Sequence, residues 1–178
     1  ASVAFEHVSK IGKKVIVLGG GNTAMDCCRT AVRLGGKQVG VYVRSPKADM
    51  KASDWEIEEA EMENIPIFEN HVPKEFLIKD GKLRGMLFEK VTAQYKNNKR
   101  TLIPTGEPLV EVECDDVLMA IGQDNAFDWI EKDIGIEFGE WDMPNVDKTT
   151  MQSSLPKVFF GGDAAWGPEN IITAVAHA

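Results

Sequence analysis

Cysteine, histidine, tyrosine and long apolar runs are all scarce in this chain. Its 178 residues include three cysteines, three histidines and two tyrosines. Cys27, Cys28 and Cys114 do not suggest a disulfide framework, because adjacent cysteines on a helix point in different directions. A reducing cytoplasm is therefore the expected compartment. His7 stands in no metal-ligand spacing, and no metal site is expected. No apolar stretch approaches the ~20 residues that a bilayer-spanning helix needs. Positive charge is also short: 20 Lys and Arg against 28 Asp and Glu leave a formal net charge of −8. That balance argues against a general affinity for nucleic acid or anionic membrane.

What is present reads as a folded protein. Hydrophobic residues make up 43% and charged residues 27%, and the length allows one sizeable core, or one domain plus part of another. The organising stretch runs from Lys14 to Asp26. Val15-Ile16-Val17-Leu18 is a continuous apolar run, the pattern of a strand buried on both faces. Gly19-Gly20-Gly21 follows, and then helix-compatible residues through Leu34. The spacing Gly19-x-Gly21-x-x-Ala24 fits the fingerprint of a dinucleotide-binding turn. Gly19 permits the tight turn, Gly21 keeps side chains away from a pyrophosphate, and Ala24 lets the helix lie close to the sheet. The free amides at the helix start, with Asn22 and Thr23, then face the phosphates.

A second strand, Gln38 to Val43, completes a βαβ unit after the Gly35-Gly36 turn. Such units that take NAD place an acidic residue about 20 positions past the glycines, for the ribose 2′-hydroxyl. Here Arg44 occupies that place, with Lys47 and Lys51 beyond it. A guanidinium can pair bidentately with a 2′-phosphate, so NADP is expected in preference to NAD.

Further along, Ser53-Asp54-Trp55-Glu56 reads as a capping box opening a helix to about Glu63. Its carboxylates are expected on a solvated face, with Trp55, Ala60 and Met62 turned inward. Ile67-Phe68-Glu69 reads as a third parallel strand. Asp80-Gly81 between two apolar runs is a hairpin signal, Asn97-Asn98 marks a second turn, and Leu109 to Glu113 supplies another strand. These form a small antiparallel layer with no assigned chemistry. Asp115 to Ala120 returns as a buried strand ending in Ile121-Gly122-Gln123, at the sheet edge where cofactors sit. Asp124 to Met151 is irregular, and its Trp129 and Trp141 are expected to pack. Lys157 to Phe160 reads as a last buried strand closing in Gly161-Gly162-Asp163, before a helix that begins after Pro168. The expected fold is α/β: a Rossmann-like parallel sheet with helices on both faces and an inserted small antiparallel β-layer, three layers in the order ββα.

Four segments, Val17 to Asp26, Val41 to Arg44, Met119 to Gln123 and Phe160 to Ala164, together resemble the pyridine-nucleotide domain of two-dinucleotide flavoprotein oxidoreductases. The nearest resemblance is to the glutamate synthase small-chain (beta-subunit) family, which shares its architecture with the amino-terminal part of dihydropyrimidine dehydrogenase. The resemblance implies NADPH and FAD as cofactors. Gly19, Gly20, Gly21, Asn22, Thr23 and Ala24 would hold the NADPH pyrophosphate, and Arg44 with Lys51 the 2′-phosphate. Ala120, Ile121, Gly122 and Gln123 would lie along the nicotinamide half. Gly162 and Asp163 match the family's second flavin motif, and amides around Ile171 would approach the flavin ring.

The chain departs from the family at two places. Val43 stands where the first of two arginines is usual, and Ala164-Ala165-Trp166 replaces the basic residues after Gly-Asp. The final electron acceptor is therefore left open. Residues 1–154 are expected to be the nucleotide-binding domain and 155–178 a fragment of the flavin domain, in a chain cut from something longer. Expected partners are the missing flavin domain of the same polypeptide and an iron–sulfur or large catalytic subunit. Such a fragment would bind NADP(H) without turning over, and no catalytic side chain is nominated. Two other readings stay open: a non-enzymatic NAD(P)-sensing module, and a disulfide reductase of the thioredoxin-reductase kind, for which Cys27-Cys28 lacks the Cys-x-x-Cys spacing.

Overall fold

Lys14–Leu18 forms strand β1, and its last four residues are buried. The alternation of a strand sends Val15 and Val17 to one face of the sheet and Ile16 and Leu18 to the other. A computed structural model describes residues 7–97, 99–122 and 125–177. After β1 come helix α1 (Asn22–Arg33), strand β2 (Gln38–Tyr42), helix α2 (Asp54–Met62) and strand β3 (Ile67–Phe68). Strands β4 (His71–Lys79), β5 (Lys82–Lys96), β6 (Lys99–Pro104), β7 (Val110–Glu113) and β8 (Asp116–Met119) follow. Strands β3-β2-β1-β8 make one parallel sheet in that order, with Lys14 opposite Gln38 and Val15 opposite Asp116. Strands β4, β5, β6 and β7 make a separate antiparallel sheet.

Each face of the parallel sheet has its own core. Val15, Val17, Val39 and Val41 pack with Ala24, Met25, Cys28 and Ala31 of α1 and with Ile57 and Ala60 of α2. Ile16, Leu18 and Tyr42 pack on the other face with Met86 and Phe88 of β5 and with Cys114. Helices are expected on both faces of this sheet, but α1 and α2 share one face; Met86 and Phe88 of β5 fill the face of Ile16, Leu18 and Tyr42, so the antiparallel layer takes the place of a helix there and the three layers run ββα. The hairpin between β4 and β5 turns on Asp80 and Gly81, both at positive φ (53° and 69°), as a two-residue turn of this type requires. The turn after β5 has Asn97 at φ 50°, while Asn98 lies outside the described residues. Strand β8 is only half-buried, with Met119 exposed, because it is the edge of its sheet.

Helix α2 departs from its expected orientation. Trp55 and Met62 are exposed, whereas Glu56 is buried beside Ile57 and Ala60. The cause lies on α1. Arg29 Nε stands 2.8 Å from Glu63, its Nη1 pairs with Glu59 and lies 3.5 Å from Glu56, and Arg33 adds a 2.8 Å contact to Glu63. Two cations on one helix therefore draw the carboxylate face of the other inward. The capping box is not formed either: no side chain caps α2, and Ser53 turns instead to Asn22.

The chain divides into two compact units, the first ending at Gly122. In the second, Lys157 to Phe160 is not a strand. Among the described residues Phe159 bridges Gln152 alone, and Lys157 sits at φ 70°, so the run has no continuous neighbour there of the kind a strand needs. Trp129 and Trp141, expected to pack, are 74% and 86% exposed. Two short helices follow, α3 (Asp163–Trp166) and α4 (Ile171–Ala176), the latter capped by Asn170, whose side chain accepts from the Thr173 N–H at 2.9 Å. Among the described residues no helix is long and apolar enough to cross a membrane.

Candidate functional site

Because β1, β2 and β8 run parallel, their carboxyl ends, Gly19, Val43-Arg44 and Ala120, reach the same edge of the sheet. That edge is where open α/β sheets take their ligands. Gly19 has φ +134°, and a Cβ on it would stand 2.1 Å from the Ala120 carbonyl oxygen. Only glycine fits there. A Cβ on Gly20 would meet Met50 and Val43 at 3.2 and 3.3 Å, so that residue is tightly floored. Gly21 faces open space, with no atom within 4 Å of its missing Cβ. It also caps α1 without any side-chain hydrogen bond. Among the described residues no side chain plugs this bend, and the amides that open α1 have no capping side chain, an arrangement suited to an anion. Asn22 and Thr23 are exposed at this start, while Ala24 is fully buried against the sheet.

Arg44 follows the end of β2, is exposed, and makes no ion pair or hydrogen bond through its side chain among the described residues. The Lys51 side chain is in the same state. Lys47, by contrast, is paired with Glu61. Lys51 is brought to the bend by its own backbone. Its N–H donates to the Gly20 carbonyl at 2.8 Å, and the Ala52 N–H donates to the same oxygen at 3.0 Å. Asn22 completes the attachment, its Oδ1 accepting from the Ser53 N–H at 2.9 Å. Sequence reading missed this attachment, because some 30 residues separate the partners and no local pattern announces it.

The third side of the edge is Ala120 to Gly122. The Ala120 N–H is taken by the Leu18 carbonyl at 2.8 Å, so its contribution is shape rather than a free donor. Ile121 is exposed, and Gly122, at φ +125°, faces open space. Gln123 lies outside the described residues. In the second unit, Gly162 sits at φ 56°, and a Cβ on it would come within 2.9 Å of the Ala174 Cβ. Its N–H donates to His177 Nδ1 at 3.3 Å, and exposed Asp163 accepts from the Glu169 N–H at 3.3 Å. Ile171 opens α4 with its side chain in solvent.

The cysteines are poorly suited to redox exchange. Cys28 is fully buried, its thiol donates to the Met25 carbonyl, and burial pushes its pKa up to about 11. Burial likewise pushes Cys114 up to about 11 and raises Cys27 above its ordinary value. The thiolate is the attacking species in disulfide exchange, and it is scarce here at neutral pH.

These features define a parallel α/β domain with an open glycine bend and two cations beside it. The chain belongs to the pyridine nucleotide-disulphide oxidoreductase family, whose model matches residues 2–178. It is 35% identical over 168 residues to the NADP(+)-dependent formate dehydrogenase subunit beta of Moorella thermoacetica, covering 93% of this chain and 24% of that protein. It is 34% identical over 178 residues to the glutamate synthase [NADPH] small chain of Escherichia coli, covering 96% of this chain and 37% of that one. The NADPH-Fe(3+) oxidoreductase subunit beta of Geobacter sulfurreducens is 29% identical, with 94% of this chain and 28% of that protein covered. The chain therefore spans about a quarter to two-fifths of these relatives' length. Among solved structures, the thioredoxin reductase of T. acidophilum superposes with a TM-score of 0.78 at 21% identity, covering 99% of this chain and 52% of that one. That likeness shows the fold alone. The domain is thus one of an oxidoreductase family, with a Rossmann-like fold.

Proposed function

We propose that this domain binds NADPH and serves, in the whole protein, an NADPH-to-FAD oxidoreductase of the glutamate synthase small-chain type. One observation carries the reading: an uncapped helix start over open space at Gly21, with Arg44 and Lys51, two cations unpaired among the described residues, beside it. The family and the relatives named for NADPH make NADPH and FAD the matching cofactors. Gly19 to Ala24 hold the pyrophosphate, and Arg44 and Lys51 hold the 2′-phosphate. Ala120 to Gly122 line the nicotinamide half. Gly162, Asp163 and the amides near Ile171 form one edge of the flavin site, which makes residues 1–154 the nucleotide domain and 155–178 part of the flavin domain.

When bound, NADPH supplies a hydride and FAD accepts it, the electrons then leaving for a further acceptor. The chain's own part is binding, orientation and exclusion of water, and no side chain has to exchange a proton. Relatives named as subunits or as a small chain support partners that receive the electrons, an iron–sulfur or large catalytic subunit among them. The three reduced cysteines support a cytoplasmic setting.

The test is a calorimetric titration of this chain with NADPH and with NADH. NADPH is expected to bind roughly tenfold or more tightly, the scale of one or two charge-assisted contacts. The Arg44→Ala/Lys51→Ala double variant should erase that difference. Equal affinities in the unaltered chain overturn the reading.

A further inference from the structure

The antiparallel layer carries none of the residues assigned above, yet one of its hairpins reaches the loop that joins Arg44 and Lys51. That loop runs from Arg44 to Lys51 and contains a single 3-10 turn, Lys47–Asp49. Asp49 is an electrostatic liability in this place. A 2′-phosphate brings up to two negative charges, and a bare carboxylate in the same loop would repel them. The carboxylate is not bare. The Tyr95 hydroxyl, near the end of β5, donates to Asp49 Oδ2, and Arg100 Nη1, near the start of β6, stands 3.0 Å from the same oxygen. Hydrogen bonds from Tyr95 and then Arg100 hold the Asp49 carboxyl below its ordinary range, as a compensated anion should be.

The latch also completes the fixing of the loop. Its far end is tied to the glycine bend by the Lys51 and Ala52 amides on Gly20 and by Ser53 on Asn22. The hairpin fixes its middle. A cation held in place before the ligand arrives loses less freedom on binding, and that difference appears as affinity.

We propose that Tyr95 and Arg100 of the β5–β6 hairpin are positioning residues that neutralise and fix Asp49, and so set the preference for a 2′-phosphorylated dinucleotide. The proposal rests on the NADPH reading above. It gives the antiparallel layer a part in cofactor choice without any contact to the cofactor.

The experiment titrates the intact protein with NADP+ and NAD+, which bind without donating a hydride. Arg100→Gln should weaken NADP+ roughly fivefold, the scale of one uncompensated charge several ångströms away in a solvated site, and leave NAD+ within about a factor of two. Asp49→Asn added to Arg100→Gln should restore NADP+ binding, and Asp49→Asn alone should hold or tighten it. A merely structural hairpin predicts the opposite pattern: equal losses for both nucleotides and no rescue. That result, or no loss at all, overturns the latch. Lys51→Ala serves as the separate control. If it leaves the NADP+ to NAD+ ratio unchanged together with Arg44→Ala, the parent reading fails and the latch fails with it. If those variants collapse the ratio and Arg100→Gln does not, only the latch is lost.

Discussion

Residues 7–122 bury Phe88, Ile16, Met25, Val17, Val41 and Cys28 completely. Residues 125–177 bury only Ile130, Ile136 and Pro144 among their described apolar side chains and leave Trp129, Trp141, Ile171, Ile172 and Val175 exposed. The first unit is stabilised by burial, at about 1.5–3 kcal/mol for each large side chain. The second relies on local hydrogen bonds worth about 0.5–1.5 kcal/mol each. Asp147 Oδ1, for instance, accepts from the Thr149 and Thr150 amides and the Thr150 hydroxyl. The difference matters for function. The glycine bend sits on the well-packed unit, where a pre-formed site can be held still. The residues proposed for the flavin edge sit on a unit with little core of its own.

The largest test of this contrast is a pair of truncations. Phe88→Ala should cost about 3–5 kcal/mol in urea unfolding, because it empties the core between the two sheets. Trp141→Ala should change stability by no more than ~0.5 kcal/mol, as for other exposed sites. A large loss from Trp141→Ala would erase the contrast. A second pair compares glycines at positive φ. Gly19→Ala should cost at least the ~1–3 kcal/mol of a strained backbone, with a carbonyl collision added, and should abolish nucleotide binding. Gly162→Ala should speed amide exchange in residues 125–177 and leave β1 and β2 protected. Gly21→Ala meets open space, so it should keep the thermal midpoint and lose affinity for nucleotide alone.

The smallest effect is in acid. Arg29 and then Arg33 hold the Glu63 carboxyl below its ordinary 4.5. A carboxyl lowered in the native state stabilises the fold above its unfolded value, and that contribution is lost as pH falls through the native one. In the second unit the Thr150 and Thr149 amides hold Asp147 below its ordinary 3.8 in the same way. Glu63→Gln should therefore flatten the acid limb of stability below about pH 4.5 for the first unit, and Asp147→Asn should do so from about pH 3.8 for the second. Thermal melts across pH 2.5–6 (roughly the range over which carboxylates titrate) would read both. Unchanged acid limbs would mean that these contacts carry no weight.

The sequence made the first unit legible where local rules decide. Val15 to Leu18 could only be a core strand, the glycine spacing placed a helix start, and Asp80-Gly81 placed a hairpin. It failed where distant charge decided. Glu56 faces inward because Arg29, more than 25 residues away, is there to meet it, and Trp55 is turned out as a result. The same blindness hid the attachment of Lys51 to Gly20 and of Asp49 to the β5–β6 hairpin. In the second unit, Val158-Phe159-Phe160 has the composition of a strand but, among the described residues, only one bridged neighbour, and composition alone cannot supply a partner.

A crystal structure of this chain with NADP+ would show directly whether the glycine bend and the two cations hold the nucleotide. The pyrophosphate is expected over the Asn22 and Thr23 amides, within about 3.2 Å of at least one of them, and the 2′-phosphate against Arg44 and Lys51. A nucleotide bound elsewhere, or one seated at the bend with its 2′-phosphate turned away from both cations, would contradict that placement.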